Sequence, residues 1–190
     1  MSPFRPPHPC NYHGCRALVL TRYCERHALA PTGVLTVVCG PPCAGKSTYA
    51  ESLALPILDW DVFYARAAGV PVHIRAPDDT AVRAAVERAF REAMIHASAQ
   101  RIPTAVIRTA PKRQARDYFR EQFEARVVVC ETSAQECLAR LHRTRPEASW
   151  RMCEDVIREW WATYTRSAHD EVIGSPGGWL SRADRPGVAA

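Results

Sequence analysis

Short runs of apolar residues alternate along most of this chain with longer segments in which apolar residues recur every three or four positions. The short runs predict β-strands. They fall at 34–39, 56–59, 104–108, 126–130 and 172–173. Because these runs are apolar at nearly every position, rather than at every second one, we expect strands that are covered on both faces. Strands that alternate with helices predict an α/β fold, with a parallel sheet of about five strands flanked by helices.

The segments between the strands have the spacing of amphipathic helices. Helices are predicted over 46–55, 61–68, from 78–80 to about 97, 112–123, from 133 through 141, and over 153–164. Trp160 lies on the apolar stripe of the last helix and is expected in the core. The helix at 112–123 carries interleaved arginines and acidic residues, which predicts either phosphate contacts along a polynucleotide or a solvated face of ion pairs. We expect the pair His169–Asp170 at the surface, near a helix end.

The two ends of the chain differ from its middle. Residues 1–32 are rich in proline, cysteine and histidine, with little periodic apolar pattern, and a turn-forming Pro-Thr-Gly follows at 31–33. The tail from Gly174 is rich in glycine and proline. In a chain of 190 residues we therefore expect a small head at 1–32, one main α/β domain at 33–173 and a flexible tail at 174–190.

Composition narrows the class of protein. Hydrophobic residues make up 47% of the chain and charged residues 24%, as in soluble globular proteins. No stretch approaches the roughly 20 apolar residues that span a bilayer, and the first residues lack the apolar region of a signal peptide. We therefore expect a cytoplasmic protein with no membrane partner, in which the cysteines after residue 32 are buried free thiols. The net charge of +5 favours anionic partners.

The segment 40–47 lies between the first predicted strand and the first predicted helix. It reads GPPCAGKS and fits the phosphate-loop motif G-x-x-x-x-G-K-[ST] at every position. The glycines of this motif let backbone amides turn inward, and the start of the next helix adds the positive end of a dipole. Lys46 would reach the β- and γ-phosphates of ATP, and Ser47 would offer its hydroxyl to Mg²⁺. The residues expected to contact the nucleotide are Gly40, Pro41, Pro42, Cys43, Ala44, Gly45, Lys46, Ser47 and Thr48.

The surroundings of this loop indicate which kind of nucleotide-using protein it serves. The Asn-Lys-x-Asp motif with which switch GTPases read guanine does not occur in the sequence. The third predicted strand ends in Arg108–Thr109, without the aspartate that motor ATPases place after an apolar strand. The aspartates at a strand end are Asp59 and Asp61, after the second strand. Small P-loop kinases place a carboxylate there, where it can orient or deprotonate the acceptor hydroxyl.

The phosphate loop and the segment Leu58–Asp61 make residues 34 to about 165 resemble the phage-type polynucleotide 5′-hydroxyl kinases. These enzymes are related to zeta-toxin-like and AAA-like P-loop proteins. In that family an Asp-x-x-Arg follows the strand and its aspartate is the general base. The resemblance implies that Asp61 is this base, with Asp59 as the second candidate and as an organiser of Mg²⁺. Two positions differ from the family: residue 64 is tyrosine instead of arginine, and Arg108 stands where the family has an acidic residue.

A basic segment after the fourth strand extends this resemblance. Arg140 and Arg143 are three residues apart, so they share one face of the predicted helix. Such arginines in P-loop kinases close over the nucleotide and neutralise charge on the transferred phosphoryl group. The alternative is a solvated basic face near a helix C-terminus, where cations are favourable.

Four residues of the head have the spacing of a zinc site. Cys10 and Cys15 form a C-x₄-C pair. After eight intervening residues, Cys24 and His27 form a C-x₂-H pair. Three thiolates and one imidazole suit a closed tetrahedral Zn²⁺ site, in which His13 could replace one ligand. The head resembles the zinc-binding leader of some phage HNH endonucleases, without their nuclease centre. We interpret it as a targeting or docking module, with nucleic acid as a candidate partner.

Together these features predict an ATP- and Mg²⁺-dependent kinase that transfers the γ-phosphate to a hydroxyl of DNA or RNA, first of all a polynucleotide 5′-hydroxyl. Kinases of hydroxymethylated bases in DNA, of a small nucleoside or of a sugar-nucleotide are the alternatives within this class. A nucleotide-dependent binding module with little turnover is an alternative from another class. The sequence leaves the oligomeric state open.

Overall fold

Five parallel strands form the main sheet in the computed structural model, which describes residues 8–9, 18–19, 33–76 and 79–174. A separate antiparallel pair, β1 (His8–Pro9) and β2 (Leu18–Val19), comes first along the chain. The main sheet consists of β3 (Leu35–Cys39), β4 (Ile57–Asp59), β5 (Thr104–Arg108), β6 (Arg126–Cys130) and β7 (Glu171–Ile173). Its order is β4-β5-β3-β6-β7, and each neighbouring pair is parallel. The predicted α/β fold with a five-stranded parallel sheet is confirmed.

Helices follow the strands as the apolar spacing predicted. They are α1 (Lys46–Ser52), α2 (Trp60–Ala68), α3 (Thr80–Ala99), α4 (Arg113–Phe123), α5 (Ala134–Thr144) and α6 (Trp150–Thr163). Helix α1 ends three residues before its predicted end, because Ala54 takes a left-handed conformation (φ 53°) that closes the helix. Within the described ranges, no helix is both long enough and apolar enough to cross a membrane.

The sheet is covered on both faces, as its apolar strands predicted. Every residue of β3 is buried. On one face, Val37 packs in a cluster with Phe90 of α3 and Trp160 of α6. On the other face, Val38 belongs to a second cluster, which includes Leu141 of α5. Strand β3 is thus fixed from both sides, and the loop that follows it starts from a rigid position.

The connections of the sheet reverse direction at β3. The chain passes from β3 to β4 and β5 on one side of the sheet, and later to β6 and β7 on the other side. In open parallel sheets the crevice at such a reversal, beyond the carboxyl ends of the strands, is where ligands bind. The loop 40–45 lies in this position, directly after β3.

Most cysteines of the main domain are buried, as the composition predicted. Cys39, Cys130, Cys137 and Cys153 are buried free thiols, and Cys43 is half-buried. Burial raises the pKa of the Cys39, Cys130 and Cys137 thiols to about 12, so they stay protonated at neutral pH and pack as small apolar groups.

A buried ion pair ties α4 to the segment before β7. The guanidinium of Arg116 donates to the carboxylate of Asp170, with Nη2 2.9 Å from Oδ2, and both side chains are fully buried. Arg120 donates to the other carboxylate oxygen of Asp170. Arg116 also donates to three backbone carbonyls, those of Ala110, Pro111 and Thr165. Each charge is therefore neutralised and hydrogen-bonded, which makes its burial tolerable.

This ion pair bears on two expectations from the sequence, the exposure of Asp170 and the role of the arginines of α4. Asp170 does not lie at the surface, because Arg116 and Arg120 hold its carboxylate inside. The arginines of α4 serve ion pairs within the protein: Arg113 lies 3.1 Å from Asp117, and Arg120 lies 2.8 Å from the same carboxylate. The helix therefore carries ion pairs, as one of its two interpretations predicted, although Arg116 is buried instead of solvated.

Replacing Asp170 with asparagine should lower the free energy of unfolding by about 3–5 kcal/mol, because Arg116 would keep its charge in the interior without a counter-charge. Urea unfolding of the full chain at pH 7 measures this. Asp155→Asn is the matched control, since Asp155 pairs with Arg158 at the surface with 68% of its side chain exposed and should cost less than about 1 kcal/mol. Equal effects of the two substitutions would contradict the assignment.

The same pair predicts an acid dependence of stability. Burial alone would raise the pKa of the Asp170 carboxyl, but hydrogen bonds from Arg116 and Arg120 outweigh burial and lower that pKa below its ordinary value of 3.8. A lowered folded-state pKa contributes stability above the ordinary value, and this contribution is lost as the pH falls through the folded-state pKa. The difference in unfolding free energy between the unmodified protein and Asp170→Asn should therefore shrink between pH 7 and pH 3. A difference that stays constant would contradict this.

Candidate active site

The loop between β3 and α1 has the backbone of a phosphate cradle. At Gly40 an added Cβ would lie 2.9 Å from the carbonyl oxygen of Cys130, so only glycine fits there. Gly45, the residue before α1, has a left-handed φ of 94°, which glycine adopts without strain. Cys43 shares the left-handed region with a φ of 60°. These conformations curl the loop ahead of the helix N-terminus, where an anion is stabilised.

Contacts from two other segments hold the loop in place. Thr132, after β6, donates its hydroxyl to the carbonyl of Ala44 at 2.9 Å. Arg140 of α5 has a guanidinium nitrogen 3.4 Å from the carbonyl oxygen of Cys43. The Lys46 ammonium folds back over the loop and donates to the carbonyl of Pro41 at 2.7 Å. A phosphate oxygen could replace that carbonyl as the partner of Lys46, so the loop fits the phosphates of ATP.

The two carboxylates at the end of β4, those of Asp59 and Asp61, have different positions relative to α2. Strand β4 ends at Asp59 and α2 begins at Trp60, so the chain turns between the two aspartates. Asp59 caps α2, and its carboxylate accepts a hydrogen bond from the backbone N–H of Asp61 at 2.9 Å. Burial, followed by the nearby charge of Asp61, raises the pKa of Asp59. A cation bound beside Asp59 would offset both effects, so Asp59 and the Ser47 hydroxyl suit Mg²⁺.

Asp61 is held by two residues from the loop that follows α2. Arg75 donates to Oδ1 of Asp61 at 2.7 Å, and Nδ1 of His73 lies 3.3 Å from Oδ2. The Arg75 guanidinium also lies over the rings of Trp60 and Tyr64, 4.9 and 4.3 Å from their centroids. Arg75 is thereby fixed by cation–π contacts as well as by the carboxylate.

Tyr64 and Arg108, the two positions that differ from the polynucleotide kinase pattern, both contact residues from other segments of the chain. Tyr64, at the position where that family has arginine, is fully buried, and Arg75 packs against its ring instead. Arg108, at the position where the family has an acidic residue, pairs with Glu87 of α3 at 3.2 Å. Trp60 also donates to Glu87, at 2.9 Å. Arg75 and Glu87 thus bring an arginine and a carboxylate to the site from other segments of the chain.

The predicted lid arginines stand on α5 at the edge of the same cleft. Arg140 is anchored by Glu136 one turn earlier, with 2.8 Å between Nε and Oε1. Arg143 is exposed, and both arginines line the cleft. The next residues along the chain bring a third arginine, Arg145, to the cleft wall. Helix α5 therefore presents positive charge beside the phosphate loop, where charge on phosphates would be offset.

The phosphate loop, the two aspartates, the loop after α2 and the arginines of α5 face one cavity of about 1110 Å³. Pro42, Cys43, Gly45, Lys46, Ser47 and Thr48 of the predicted nucleotide contacts face it, while Gly40, Pro41 and Ala44 form the buried part of the loop behind them. Seven basic side chains line the cavity against four carboxylates. The basic residues are Lys46, Arg75, Arg83, Arg108, Arg140, Arg143 and Arg145. Such a cavity favours a polyanionic ligand.

Comparison with known families agrees with this geometry. Residues 35–168 match the model of a family described as an AAA domain. The chain belongs to this AAA domain family. Residues 1–32 match a second model, described only as a domain of unknown function. A comparison with curated protein sequences finds no match.

Three solved structures that resemble this AAA domain in fold are two shikimate kinases and a putative kinase. A shikimate kinase from Acinetobacter baumannii, in complex with shikimate, aligns with a TM-score of 0.52 and 20% identity over 75% of this chain and 84% of that one. A putative kinase from Chloroflexus aurantiacus gives a TM-score of 0.52 and 14% identity over 78% and 92%. A shikimate kinase from Bacteroides thetaiotaomicron gives 0.50 and 13% over 74% and 86%. At these identities the likeness is one of fold, and the fold is that of a kinase-like P-loop domain, for which ATP and Mg²⁺ are the expected ligands.

Sequence reasoning missed several residues of the AAA domain's site. His73 and Arg75 lie in a loop without periodic pattern. Arg83 and Glu87 lie on α3, where only the apolar positions have a regular spacing that the sequence reveals. The loop offered one signal: an arginine and a histidine occur close together, within about 15 residues of the strand-end aspartates. No spacing rule links such residues to a carboxylate so far away, so only the folded chain brings them together.

The predicted zinc ligands Cys10, Cys15, Cys24 and His27, and the alternative ligand His13, lie outside the residues that the structure describes. Within the described ranges no group of three or more His, Cys, Asp or Glu residues is arranged to hold a metal ion.

Proposed function

We propose that this protein is an ATP- and Mg²⁺-dependent kinase that transfers the γ-phosphate to a hydroxyl of a nucleic acid, with a polynucleotide 5′-hydroxyl as the acceptor. The site divides into a donor half, built by the phosphate loop and α5, and an acceptor half, built by the segment after β4, the loop after α2, and α3. A hydroxyl bound in the acceptor half would lie between Asp61 and the phosphates on the loop.

The observation that supports an anionic acceptor is the excess of basic over acidic side chains in the cavity. Arg75, Arg83 and Arg108 line its acceptor half. A phosphodiester beside the acceptor hydroxyl would be attracted by these guanidinium groups, and the 5′ end of a polynucleotide carries such a group.

The proposed reaction is a direct displacement at the γ-phosphorus. Asp61 accepts the proton of the acceptor hydroxyl, whose oxygen forms a bond to phosphorus as the bond to the β-phosphate oxygen breaks and ADP leaves. Lys46 and the loop amides hold the β- and γ-phosphates, and Arg140 and Arg143 offset the charge that develops on the phosphoryl oxygens. Ser47 and Asp59 would hold Mg²⁺, which when bound supplies charge neutralisation at the phosphates.

An acceptor panel tests this function. With labelled γ-phosphate, we expect transfer to 5′-hydroxyl DNA or RNA oligonucleotides and to nucleoside 3′-monophosphates, and at least about tenfold lower kcat/KM for the unphosphorylated nucleosides, because only the former carry an anionic group for Arg75, Arg83 and Arg108. Arg75→Gln should reduce this preference, and Arg88→Gln, an exposed arginine on α3 outside the cavity, should preserve it.

Other outcomes of the panel would favour the alternatives. Transfer only to hydroxymethylated DNA, only to neutral nucleosides or only to sugar-nucleotides would replace the polynucleotide end with that acceptor. ATP binding with no transfer to any member of the panel would favour a nucleotide-dependent binding module and contradict the proposed kinase.

The head at 1–32 is proposed as a separate zinc-binding docking module beside the kinase domain at 33–173. Support comes from the spacing of Cys10, Cys15, Cys24 and His27, because three thiolates and one imidazole match a tetrahedral Zn²⁺ site. Protein purified without chelator should contain about one zinc per chain, measured by elemental analysis. Cys24→Ser should lose the zinc, whereas Cys153→Ser, a buried thiol of the main domain, should retain it. A zinc content near zero in the unmodified protein would contradict this module.

A further inference from the structure

His73 has a backbone conformation that its side chain makes costly. Its φ is 73°, in the left-handed region, where a Cβ crowds the following carbonyl. Four residues earlier, at the end of α2, the chain uses Gly69 for a nearly identical φ of 65°. A glycine at position 73 would therefore suit the backbone better. Non-glycine residues held in this region cluster at functional sites, where the surrounding structure enforces them.

The side chain of His73 explains what the strained conformation achieves. Nδ1 lies 3.3 Å from Oδ2 of Asp61, and the imidazole is largely buried, with 23% of the side chain exposed. Because an ionised carboxylate can only accept, the nitrogen in this contact is the one that carries the proton. On the opposite oxygen, Oδ1, Arg75 donates at 2.7 Å. Two residues of one loop therefore hold the two oxygens of one carboxylate.

This arrangement fixes the orientation of the Asp61 carboxylate. A carboxylate on a helix can rotate about its terminal torsion, which has broad minima. Hydrogen bonds to both oxygens remove that freedom, and Arg75 is itself fixed over the rings of Trp60 and Tyr64. Each carboxylate oxygen has a second lone-pair position, so one can still accept a proton from a hydroxyl in the cavity.

We propose that His73 is a positioning residue that orients Asp61 toward the acceptor hydroxyl, and that its left-handed backbone serves this contact. The inference rests on the proposed function, because it assigns His73 to the kinase reaction. It distinguishes His73 from a residue that merely stabilises the loop: the imidazole N–H should matter for turnover, while its removal should leave the loop at least as stable.

Three substitutions in the full chain separate these roles. His73→Gly keeps the left-handed backbone without strain and removes the imidazole. His73→Asn tolerates the same backbone and can place an N–H donor near the position of Nδ1. His73→Ala removes the imidazole and keeps the strain. His96→Ala is the control, because His96 is an exposed histidine of α3 that does not line this cavity.

Transfer of labelled γ-phosphate is measured at saturating ATP with the best acceptor of the panel, together with the KM for ATP and the Tm. We expect His73→Gly and His73→Ala to lower kcat about 10- to 100-fold, the range expected when a catalytic group is misplaced, with the KM for ATP unchanged. The Asn variant should stay within about threefold of the unmodified protein. The Tm of His73→Gly should equal or exceed that of the unmodified protein.

A His73→Gly protein with full kcat would overturn the inference, and so would a His73→Asn protein that loses as much as His73→Gly. A fall of kcat in step with Tm across the three variants would also overturn it, because that pattern describes a structural role. Absence of transfer by the unmodified protein to every acceptor is a different result: it would refute the proposed function and the inference with it.

Discussion

Replacing Lys46 with alanine is expected to reduce phosphoryl transfer by on the order of 10³-fold or more. Lys46 is the lysine of the phosphate loop, and its ammonium already lies over the loop, 2.7 Å from the carbonyl oxygen of Pro41. From there it can move to the phosphates, where charge increases in the transition state. Loss of one such preorganised donor costs about 10²–10³ in kcat in other enzymes. Loss of a donor that carries a full positive charge, as Lys46 does, should cost more.

The fold should survive this substitution, because Lys46 is only half-buried and its ammonium donates to a loop carbonyl. Initial rates of γ-phosphate transfer, and urea unfolding of the same samples, separate loss of catalysis from loss of folding. Lys112→Ala is a matched control, since Lys112 is the other lysine of the chain and is exposed at the start of α4. Near-normal turnover of Lys46→Ala would refute the assignment of the phosphate loop.

Asp61→Asn is expected to lower the rate of transfer by about 10²- to 10⁴-fold while ATP affinity stays nearly unchanged. Asparagine has the size of aspartate, and its carbonyl oxygen can still accept from Arg75, so the site should keep its shape. It cannot take a proton from the acceptor hydroxyl, which is the role proposed for Asp61. Single-turnover transfer and equilibrium binding of ATP measure the two effects separately.

Asp59→Asn should behave differently, because Asp59 caps α2 and is one of the two residues proposed to hold Mg²⁺. We expect it to raise the Mg²⁺ concentration needed for half-maximal rate, with a smaller loss at saturating Mg²⁺. Asp155→Asn, at the exposed pair on α6, is the control for both substitutions. If Asp59→Asn abolished transfer and Asp61→Asn retained it, the two carboxylates would have the opposite roles.

The sequence by itself determined the features that depend on neighbouring residues. Uninterrupted apolar runs specified strands that must be covered on both faces, because apolar side chains on both sides of a strand leave no face for water. The glycines at 40 and 45 and the lysine at 46 specified a phosphate loop, because they act within one turn of backbone. The position of Asp59 and Asp61 at a strand end also followed from the sequence, but not whether the chain turns between them.

The tertiary structure decided everything that depends on distant segments. Strand order brought α5 and the loop after α2 to opposite sides of the phosphate loop, and the fold brought Arg116 and Asp170, which are 54 residues apart, into a buried ion pair. The same convergence placed Arg75 and His73 on Asp61 from 14 and 12 residues away. Charged side chains obey no periodicity of their own, so the sequence cannot tell which of them will meet. The partner of each charge is selected by the packing of the apolar core, which fixes the positions of the backbone segments that carry the charges.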